Sequence, residues 1–265
     1  MTDKTNHLRQ LLVEGRPSLS TRMWGTWPFM IEAVGSTGNY DYVEFVAEYS
    51  PFTQDDLENM ARAAELHGMG LMAKVDFQNR GYVAQKAIAS GAQAILFTDC
   101  HNAEEVRECV RLVKPETPGD GGCFGYPNRR FIGFQPYLRQ MDHARWQREV
   151  VLAFMIEKRS AVEDIEAICA VPGVDMVQFG PSDYSMSSGF DLADHRDEVR
   201  KVEKKVIETA LRHGVAPRCE IPRPEDAEFY IRLGVRHFSL GDQLKYLLER
   251  WQTDGGALRR RADEL

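Results

Sequence analysis

The chain has 265 residues, with 33 basic and 40 acidic side chains and a formal net charge of −7. This acidic balance excludes a general nucleic-acid binder, which needs a basic surface to neutralise phosphates. Hydrophobic residues make up 43% of the chain and charged residues 28%, so disorder is excluded and a large core can be buried.

No targeting or anchoring segment is apparent. No stretch approaches the ~20 apolar residues of a membrane span, and the charged, amphipathic start of the chain is unlike a signal peptide. The five cysteines include no Cys-x-x-Cys pair, so neither a zinc knuckle nor a disulfide framework is indicated. We expect a cytoplasmic protein with neither membrane nor nucleic-acid partners.

Short apolar segments bounded by turn residues alternate with amphipathic segments. Several of the short segments are apolar at every position, as expected of strands covered on both faces. The clearest helix begins after Thr53, with Asp56 three residues later to complete a capping box, and ends at Gly68. We predict strands at 18–26, 40–47, 70–77, 92–98, 150–156, 174–180, 215–221 and 235–241.

This alternation predicts an α/β fold of the (β/α)8 TIM-barrel type, with one domain spanning 1–265. Barrels of ~250 residues commonly form a single domain. An open doubly wound sheet is the alternative, but no G-x-G-x-x-G follows the first strand. The segment 115–133 is rich in glycine and proline, and it is either a functional loop or a solvated insertion.

Polar residues at the ends of the predicted strands are the candidate site. In a TIM barrel the chemistry lies at the carboxyl ends of the strands. Glu157 and Asp183 follow neighbouring strands, and two converging carboxylates suit Mg²⁺ or Mn²⁺. Helix caps or salt-bridge partners are the alternative roles for such acids. The strand-end residues are Trp24, Glu48, Tyr49, Lys74, Asp76, Asp99, His101, Glu157, Asp183, Arg218, Glu220 and Asp242.

The segment MIEKRSAVEDIEAICAVPGVDMVQFGPSDYSMSSG (155–189) resembles the metal-binding half of the class II pyruvate-dependent aldolases, the HpcH/HpaI family. The shared pattern is a strand-end Glu, a helix, a Pro-Gly-x-Asp turn, a strand and Gly-Pro-Ser-Asp. The resemblance implies a TIM barrel and a metal-dependent carbon–carbon lyase that acts on a 2-oxo acid through its enolate. It further implies that Glu157 and Asp183 hold Mg²⁺, Mn²⁺ or another divalent ion.

The resemblance also implies a binding site and an assembly. The backbone at Gly180, Pro181 and Ser182, up to Asp183, would bind the carboxylate of pyruvate at a helix N-terminus. Family members are usually oligomers that exchange a C-terminal helix, so we expect a homo-oligomer, a trimer or a hexamer. The tail carries an apolar stripe of Leu244, Leu247, Leu248 and Trp251, followed by a Gly-Gly break. Packing of this stripe on the chain's own barrel is the alternative.

Four positions depart from the family pattern. Tyr49 stands where the family has its acid/base histidine, and Lys74 where it has an arginine that contacts the keto oxygen. Ala89 and Met155 replace an aspartate and a glutamine. The catalytic candidates are therefore Tyr49, Lys74, Asp99 and His101.

Two of these candidates, Asp99 and His101, and two further residues, Arg218 and Trp24, have alternative roles. Asp99 is either an acid/base group or the cap of the following helix, and His101 is either a second acid/base group or simply exposed. Arg218 is a candidate for the distal part of the substrate or one half of a structural pair with Glu220. Trp24 is a pocket wall or a packing residue.

Three functions fit these residues. The first is an aldolase that joins or separates a 2-oxo acid and an aldehyde. The second uses the same enolate for decarboxylation of an oxaloacetate-type acid or for another condensation. The third is a barrel that binds a 2-oxo acid without turnover. Retention of two converging carboxylates argues against the third, because their repulsion costs stability when it serves no purpose.

Overall fold

A computed structural model describes residues 6–127, 129–135 and 137–265. Eight parallel strands pair in sequence order, and the first also pairs with the last, so the sheet closes into a barrel. The predicted (β/α)8 TIM barrel is confirmed. The strands are β1 Ser18–Met23, β2 Tyr42–Val46, β3 Gly70–Val75, β4 Ala94–Phe97, β5 Val151–Ile156, β6 Met176–Phe179, β7 Ala216–Ile221 and β8 His237–Asp242.

Helices surround this barrel and cover its outer face. The helices are α1 His7–Val13, α2 Pro28–Ser36, α3 Gln54–Leu66, α4 Arg80–Ser90, α5 Ala103–Val113, α6 Gln140–Arg148, α7 Arg159–Glu163, α8 Ile165–Cys169, α9 Pro181–Ser188, α10 Arg196–Arg212, α11 Ala227–Arg232, α12 Gln243–Arg250 and α13 Gly256–Ala262. The predicted capping box is present at the start of α3, where Thr53 and Asp56 each accept a backbone hydrogen bond from the other.

The apolar strands owe their composition to burial on both faces. Every residue of β2, β3 and β5 is buried, between the barrel interior and the surrounding helices. The predicted first strand was three residues too long. It ends at Met23, and Trp24 and Gly25 form a bend that leads to Pro28 at the start of α2.

The glycine-rich segment 115–133 follows α5, in the connection that continues through α6 to β5. A connection from a helix to the next strand lies at the amino-terminal end of a barrel, on the opposite side from the catalytic loops. Arg130 in this segment pairs with Glu65 of α3, and a bridge joins Pro115 to Phe124. Between a functional loop and an insertion, the structure favours an insertion, because the segment packs on the barrel and does not lie above the site.

The C-terminal tail departs from the predicted break. A helical turn at Trp251–Gly255 joins α12 to α13, so the helix continues through the Gly-Gly pair. The chain's own barrel covers the apolar stripe of the tail only in part. Its members Leu244, Leu247, Leu248 and Trp251 remain 46%, 36%, 41% and 63% exposed.

Within the described ranges, no helix combines the length and apolar character needed to cross a membrane. The five cysteines are free thiols, four of them buried and Cys123 half-buried.

His237 makes the barrel sensitive to acid. Its ring accepts or donates a hydrogen bond at Ser18 Oγ over 2.9 Å, and burial, with help from nearby Arg218, lowers the pKa of His237 to about 4. A folded-state pKa below the unfolded value means that the neutral ring stabilises the fold above pH ~6.5. This contribution is lost as the pH falls towards 4.

We expect the wild-type free energy of unfolding to fall between pH 7 and pH 4.5 by about 2.5 kcal/mol more than that of His237→Gln, which has no charge to gain. Urea denaturation at both pH values measures the difference. Equal losses in the two proteins would contradict the assignment.

Candidate active site at the carboxyl ends of the strands

A cavity of about 700 Å³ lies at the carboxyl ends of the strands. Its lining brings together residues from β1, β2, β3, β5, β6, β7 and the starts of α9 and α10. The charged residues among them are Arg22, Glu44, Lys74, Glu157, Asp183, Arg196, Asp197, Arg200, Glu203, Glu220 and Lys245. A second cavity, of about 390 Å³, lies at the amino-terminal end and contains none of the predicted site residues.

Glu157 follows β5 and is 2% exposed. Its Oε1 accepts a hydrogen bond of 3.0 Å from the backbone N–H of Asp99. On the other side, Glu157 packs against the backbone of Gly180. A Cβ at position 180 would lie 2.7 Å from both Cβ and Oε2 of Glu157, so only glycine fits there. The glycine of the Gly-Pro-Ser-Asp motif is therefore a packing requirement of the carboxylate.

Asp183 lies in the first turn of α9, three residues after Gly180, the N-cap. Pro181 and Ser182 are exposed at the helix start and line the same cavity as Asp183 and Glu157. The first amides of a helix lack an intrahelical acceptor. The structure thus places a helix N-terminus, which favours negative charge, beside two carboxylates.

Lys74 lies on β3 with its Nζ 2.6 Å from Glu48 Oε2, and both side chains are largely buried. Burial of Lys74 opposes its charged form, but the carboxylates of Glu157 and Glu48 outweigh this effect and raise the pKa of Lys74. Lys74 is therefore a fixed cation on the cavity wall. A charged amine of this kind suits contact with an oxygen and does not suit a Schiff base.

The surroundings of Glu157 disfavour the charged form of its carboxylate. Burial raises the pKa of Glu157 to about 7, and the Asp183 and Asp99 carboxylates act in the same direction, against Lys74 and the Asp99 amide. A divalent cation between Glu157 and Asp183 would relieve this repulsion, and its hard oxygen ligands are present. Among the described residues no group of three or more His, Cys, Asp or Glu side chains could hold a metal. The pair therefore fits an ion that takes its remaining ligands from substrate and water.

Tyr49 is 64% exposed, and its ring lies 5.8 Å from Lys74 Nζ. Partial desolvation of Tyr49 by the surrounding atoms, its hydrogen bond to Glu48 and the nearby carboxylates raise its pKa well above the usual range. The phenol thus keeps its proton. This arrangement favours a hydrogen-bond donor over a general base at the position of the family's histidine.

Asp99 and His101 occupy the turn after β4 but differ in surroundings. Asp99 has a left-handed backbone, with φ of 58°, and its Oδ1 lies 2.6 Å from Lys158 Nζ. It does not cap α5, because Asn102 accepts the hydrogen bonds from the first amides of that helix. His101 is exposed and its Nδ1 lies 3.1 Å from Ser160 Oγ. Neither side chain lines the cavity.

Arg218 and Trp24 also lie outside the cavity lining. Arg218 is 1% exposed inside the barrel. Its guanidinium pairs with Glu44 at 2.5 Å and donates to Tyr42, Gln178 and Ser20. We therefore assign Arg218 to a structural ion pair, with Glu44 as the partner in place of the expected Glu220. Trp24 is half-buried, with the Arg22 guanidinium 5.6 Å from its ring.

Sequence reasoning missed Arg22 and Glu44, which line the cavity from inside β1 and β2. The available signal was a charged residue within an otherwise apolar strand, since a charge there must face the barrel interior or a partner.

The model of the HpcH/HpaI aldolase/citrate lyase family matches residues 24–249. The chain is 26% identical over 232 residues to the hydroxypyruvate/pyruvate aldolase of Delftia acidovorans, covering 85% of this chain and 84% of that one.

Two solved structures share the fold. A family member from Burkholderia cenocepacia superposes with a TM-score of 0.86 at 22% identity, covering 96% of this chain and all of that one. The protein CitE from Mycobacterium tuberculosis, solved with magnesium and pyruvate, has a TM-score of 0.56 at 12% identity and covers 86% of each chain. With the family model matched over most of its length, the chain belongs to the HpcH/HpaI aldolase/citrate lyase family.

Proposed function

We propose that the chain is a divalent-metal-dependent aldolase that cleaves or forms a carbon–carbon bond next to a 2-oxo acid, through the enolate of pyruvate. The observation that carries this proposal is that Glu157 and Asp183 line one cavity together with the start of α9. The magnesium and pyruvate of the CitE complex support the same chemistry.

Glu157 and Asp183 would hold Mg²⁺, Mn²⁺ or a similar ion, which supplies Lewis acidity to stabilise developing enolate charge. The backbone amides at the start of α9 bind the carboxylate of the 2-oxo acid. Lys74, held by Glu48, presents its ammonium to the keto oxygen. The protonated hydroxyl of Tyr49 donates to the oxygen of the aldehyde, which is released in cleavage and consumed in addition.

Proton exchange is the direct test of the proposal. Pyruvate methyl protons should exchange for deuterium in the presence of the protein and Mg²⁺ or Mn²⁺, and EDTA should stop the exchange. Nuclear magnetic resonance of the methyl signal measures the rate without any knowledge of the aldehyde. A panel of aldehydes and oxaloacetate then separates aldol chemistry from decarboxylation. If pyruvate does not exchange with any divalent ion present, the protein is not an enolate-forming enzyme, and the alternative of a binding protein is favoured.

The Asp99–Lys158 ion pair positions Glu157 in this proposal. Lys158 fixes the Asp99 side chain at 2.6 Å, and the left-handed backbone of Asp99 turns its N–H onto Glu157 Oε1. Strained backbone of this kind persists where the surroundings enforce it. Asp99 thus acts on Glu157 through its amide, without contact with substrate.

We expect Lys158→Met and Asp99→Asn each to weaken metal binding by about 10- to 100-fold, as for other groups that orient metal ligands. The double variant should bind no more weakly than the single variants, because both changes remove the same ion pair. Isothermal titration calorimetry with Mn²⁺ measures the affinities. Arg159→Met is the matched control, since it removes the neighbouring exposed pair with Glu163. Additive losses would contradict this role.

The exposed stripe on α12 supports the proposal of a homo-oligomer in which a neighbouring subunit covers the tail. Leu247 and Leu248 lie about two-fifths exposed, and Trp251 more so. An apolar face of this kind on a monomer marks an interface. We expect wild-type protein at micromolar concentration to scatter light as a trimer or hexamer. Leu248→Glu with Trp251→Glu should shift it to smaller species, and a monomeric wild type would refute the proposal.

A further inference from the structure

A buried glutamine, Gln178, lies at the floor of the candidate active-site cavity. It belongs to β6, two residues before Gly180, and its register partner on β5 is Met155, two residues before Glu157. Because alternate residues of a strand face the same side, Gln178 and Met155 form the layer directly beneath Gly180 and Glu157. Both line the cavity, and Gln178 is only 3% exposed. The floor beneath the start of α9 is therefore polar on β6 and apolar on β5.

The orientation of the Gln178 amide is fixed by Arg218. A guanidinium carries hydrogen-bond donors only, and Arg218 Nη1 donates to Gln178 Oε1. The guanidinium is itself held at 2.5, 2.8 and 2.9 Å by Glu44, Tyr42 and Ser20. The amide oxygen of Gln178 must therefore face Arg218, and its NH₂ group faces away from it.

The NH₂ group of Gln178 is open to the cavity. Its Nε2 donates to none of the residues that the structure describes. It is also not among the side-chain atoms that the protein encloses without a partner, so it reaches the space that Gln178 lines. Buried polar groups normally have a hydrogen-bond partner. These N–H donors therefore indicate an acceptor within the cavity.

We propose that Gln178 is a substrate-binding residue whose NH₂ group donates to the carboxylate of the 2-oxo acid. This inference rests on the proposed function, which places that carboxylate at the start of α9. Gln178 precedes Gly180, the N-cap of α9, by two residues, roughly 6.5 Å along the strand. The amides of α9 and the amide of Gln178 thus contact the carboxylate from two sides, the second from the floor of the barrel.

A carboxylate suits this donor better than other parts of the substrate. The keto oxygen is assigned to Lys74 on β3, whereas Gln178 lies on the strand that leads into α9. Donation from Arg218 to Oε1 polarises the amide and strengthens its N–H donors. Hydrogen bonds to a charged acceptor are roughly twice as strong as those between neutral groups. An alkyl group at this place would leave the NH₂ group without an acceptor.

The contact should act on binding and not on the chemical step, because the carboxylate keeps its charge throughout enolate formation. Loss of such a contact raises KM and leaves kcat nearly unchanged. Gln178→Met removes the donors and retains the length of the side chain. We expect it to raise the KM for pyruvate in deuterium exchange by about 10- to 100-fold, with kcat within about threefold of the wild type. Isothermal titration calorimetry with pyruvate and Mn²⁺ should show the same loss of affinity.

Gln178→Glu distinguishes contact with the substrate from support of Arg218. A carboxylate at this position still accepts from Arg218, so a residue that only supports the arginine would tolerate the change. Under the proposal, the variant loses the donors and adds a negative charge beneath the substrate carboxylate. Its KM should then rise at least as much as that of Gln178→Met. Gln85→Met is the control, because it makes the same substitution at a half-buried glutamine outside the cavity, which donates to Leu112 O over 2.7 Å.

Stabilisation by Mn²⁺ in thermal unfolding shows that the variants fold and keep the ion, because Gln178 is not a proposed metal ligand. If Gln178→Met does not fold, Gln178→Glu retains the contact with Arg218 and decides the question. A wild-type KM in either folded variant refutes the role of Gln178 alone. The same holds if kcat falls at an unchanged KM, since the amide then acts on the enolate oxygen. A wild type without exchange refutes the proposed function, and this inference with it.

Discussion

Glu157→Gln and Asp183→Asn should each lower turnover by about 10³-fold or more, because each removes one of the two protein ligands proposed for the ion. Metal ions supply several kcal/mol of transition-state stabilisation in comparable reactions, and 1.36 kcal/mol corresponds to a tenfold change in rate. Both substitutions preserve side-chain volume. This matters for Glu157, which packs directly against Gly180.

Thermal unfolding gives a second readout that does not depend on activity. An ion that binds only the folded state raises the melting temperature as its concentration rises. Added Mn²⁺ should therefore stabilise the wild type and leave Glu157→Gln and Asp183→Asn unchanged. Glu163→Gln is the control, because that carboxylate is 63% exposed and pairs with Arg159 on the surface. Metal stabilisation that persists in both ligand variants would show that the ion binds elsewhere.

The barrel was predictable because its strands are buried on both faces and are therefore continuous runs of apolar residues. The position of Glu157 and Asp183 followed from the same logic, since the ends of neighbouring strands converge at one end of a barrel. The glycine of Gly-Pro-Ser-Asp was recognisable only by resemblance. Its physical reason, the contact of Glu157 with position 180, needs the three-dimensional structure.

Partners across the barrel were beyond sequence reasoning. Arg218 pairs with Glu44, a residue 174 positions away in the chain, while Glu220 pairs with Arg22 of β1. The order of neighbouring strands alone does not fix which interior charges meet, because side-chain length and the stagger of the strands decide the contacts. For the same reason the turn after β4 was ambiguous. Asp99 reaches Lys158 and leaves capping of α5 to Asn102.

Lys74→Met should slow both turnover and pyruvate deuterium exchange by about 10²- to 10³-fold, the usual cost of removing one donor to a developing oxyanion. Lys74 is a cation on the cavity wall that interacts electrostatically with Glu157, and the Glu157 carboxylate contributes to the raised pKa of the lysine. Loss of the ammonium would remove the contact proposed with the keto oxygen, so we expect enolate formation itself to be impaired. Lys74→Arg, which keeps the charge, should recover part of the exchange rate.

Lys74→Met also affects the stability of the fold, because it leaves the largely buried Glu48 without its ion pair. The double variant Lys74→Met/Glu48→Gln restores the local charge balance, so it should fold and remain slow in exchange. Tyr49→Phe provides the contrast. If the phenol only donates its proton at the aldehyde oxygen, carbon–carbon bond formation slows by about 10²-fold or more while pyruvate exchange proceeds. Near-normal exchange in the double variant would exclude Lys74 from enolate formation. Equal losses of exchange and bond formation in Tyr49→Phe would show that Tyr49 also takes part in enolate formation.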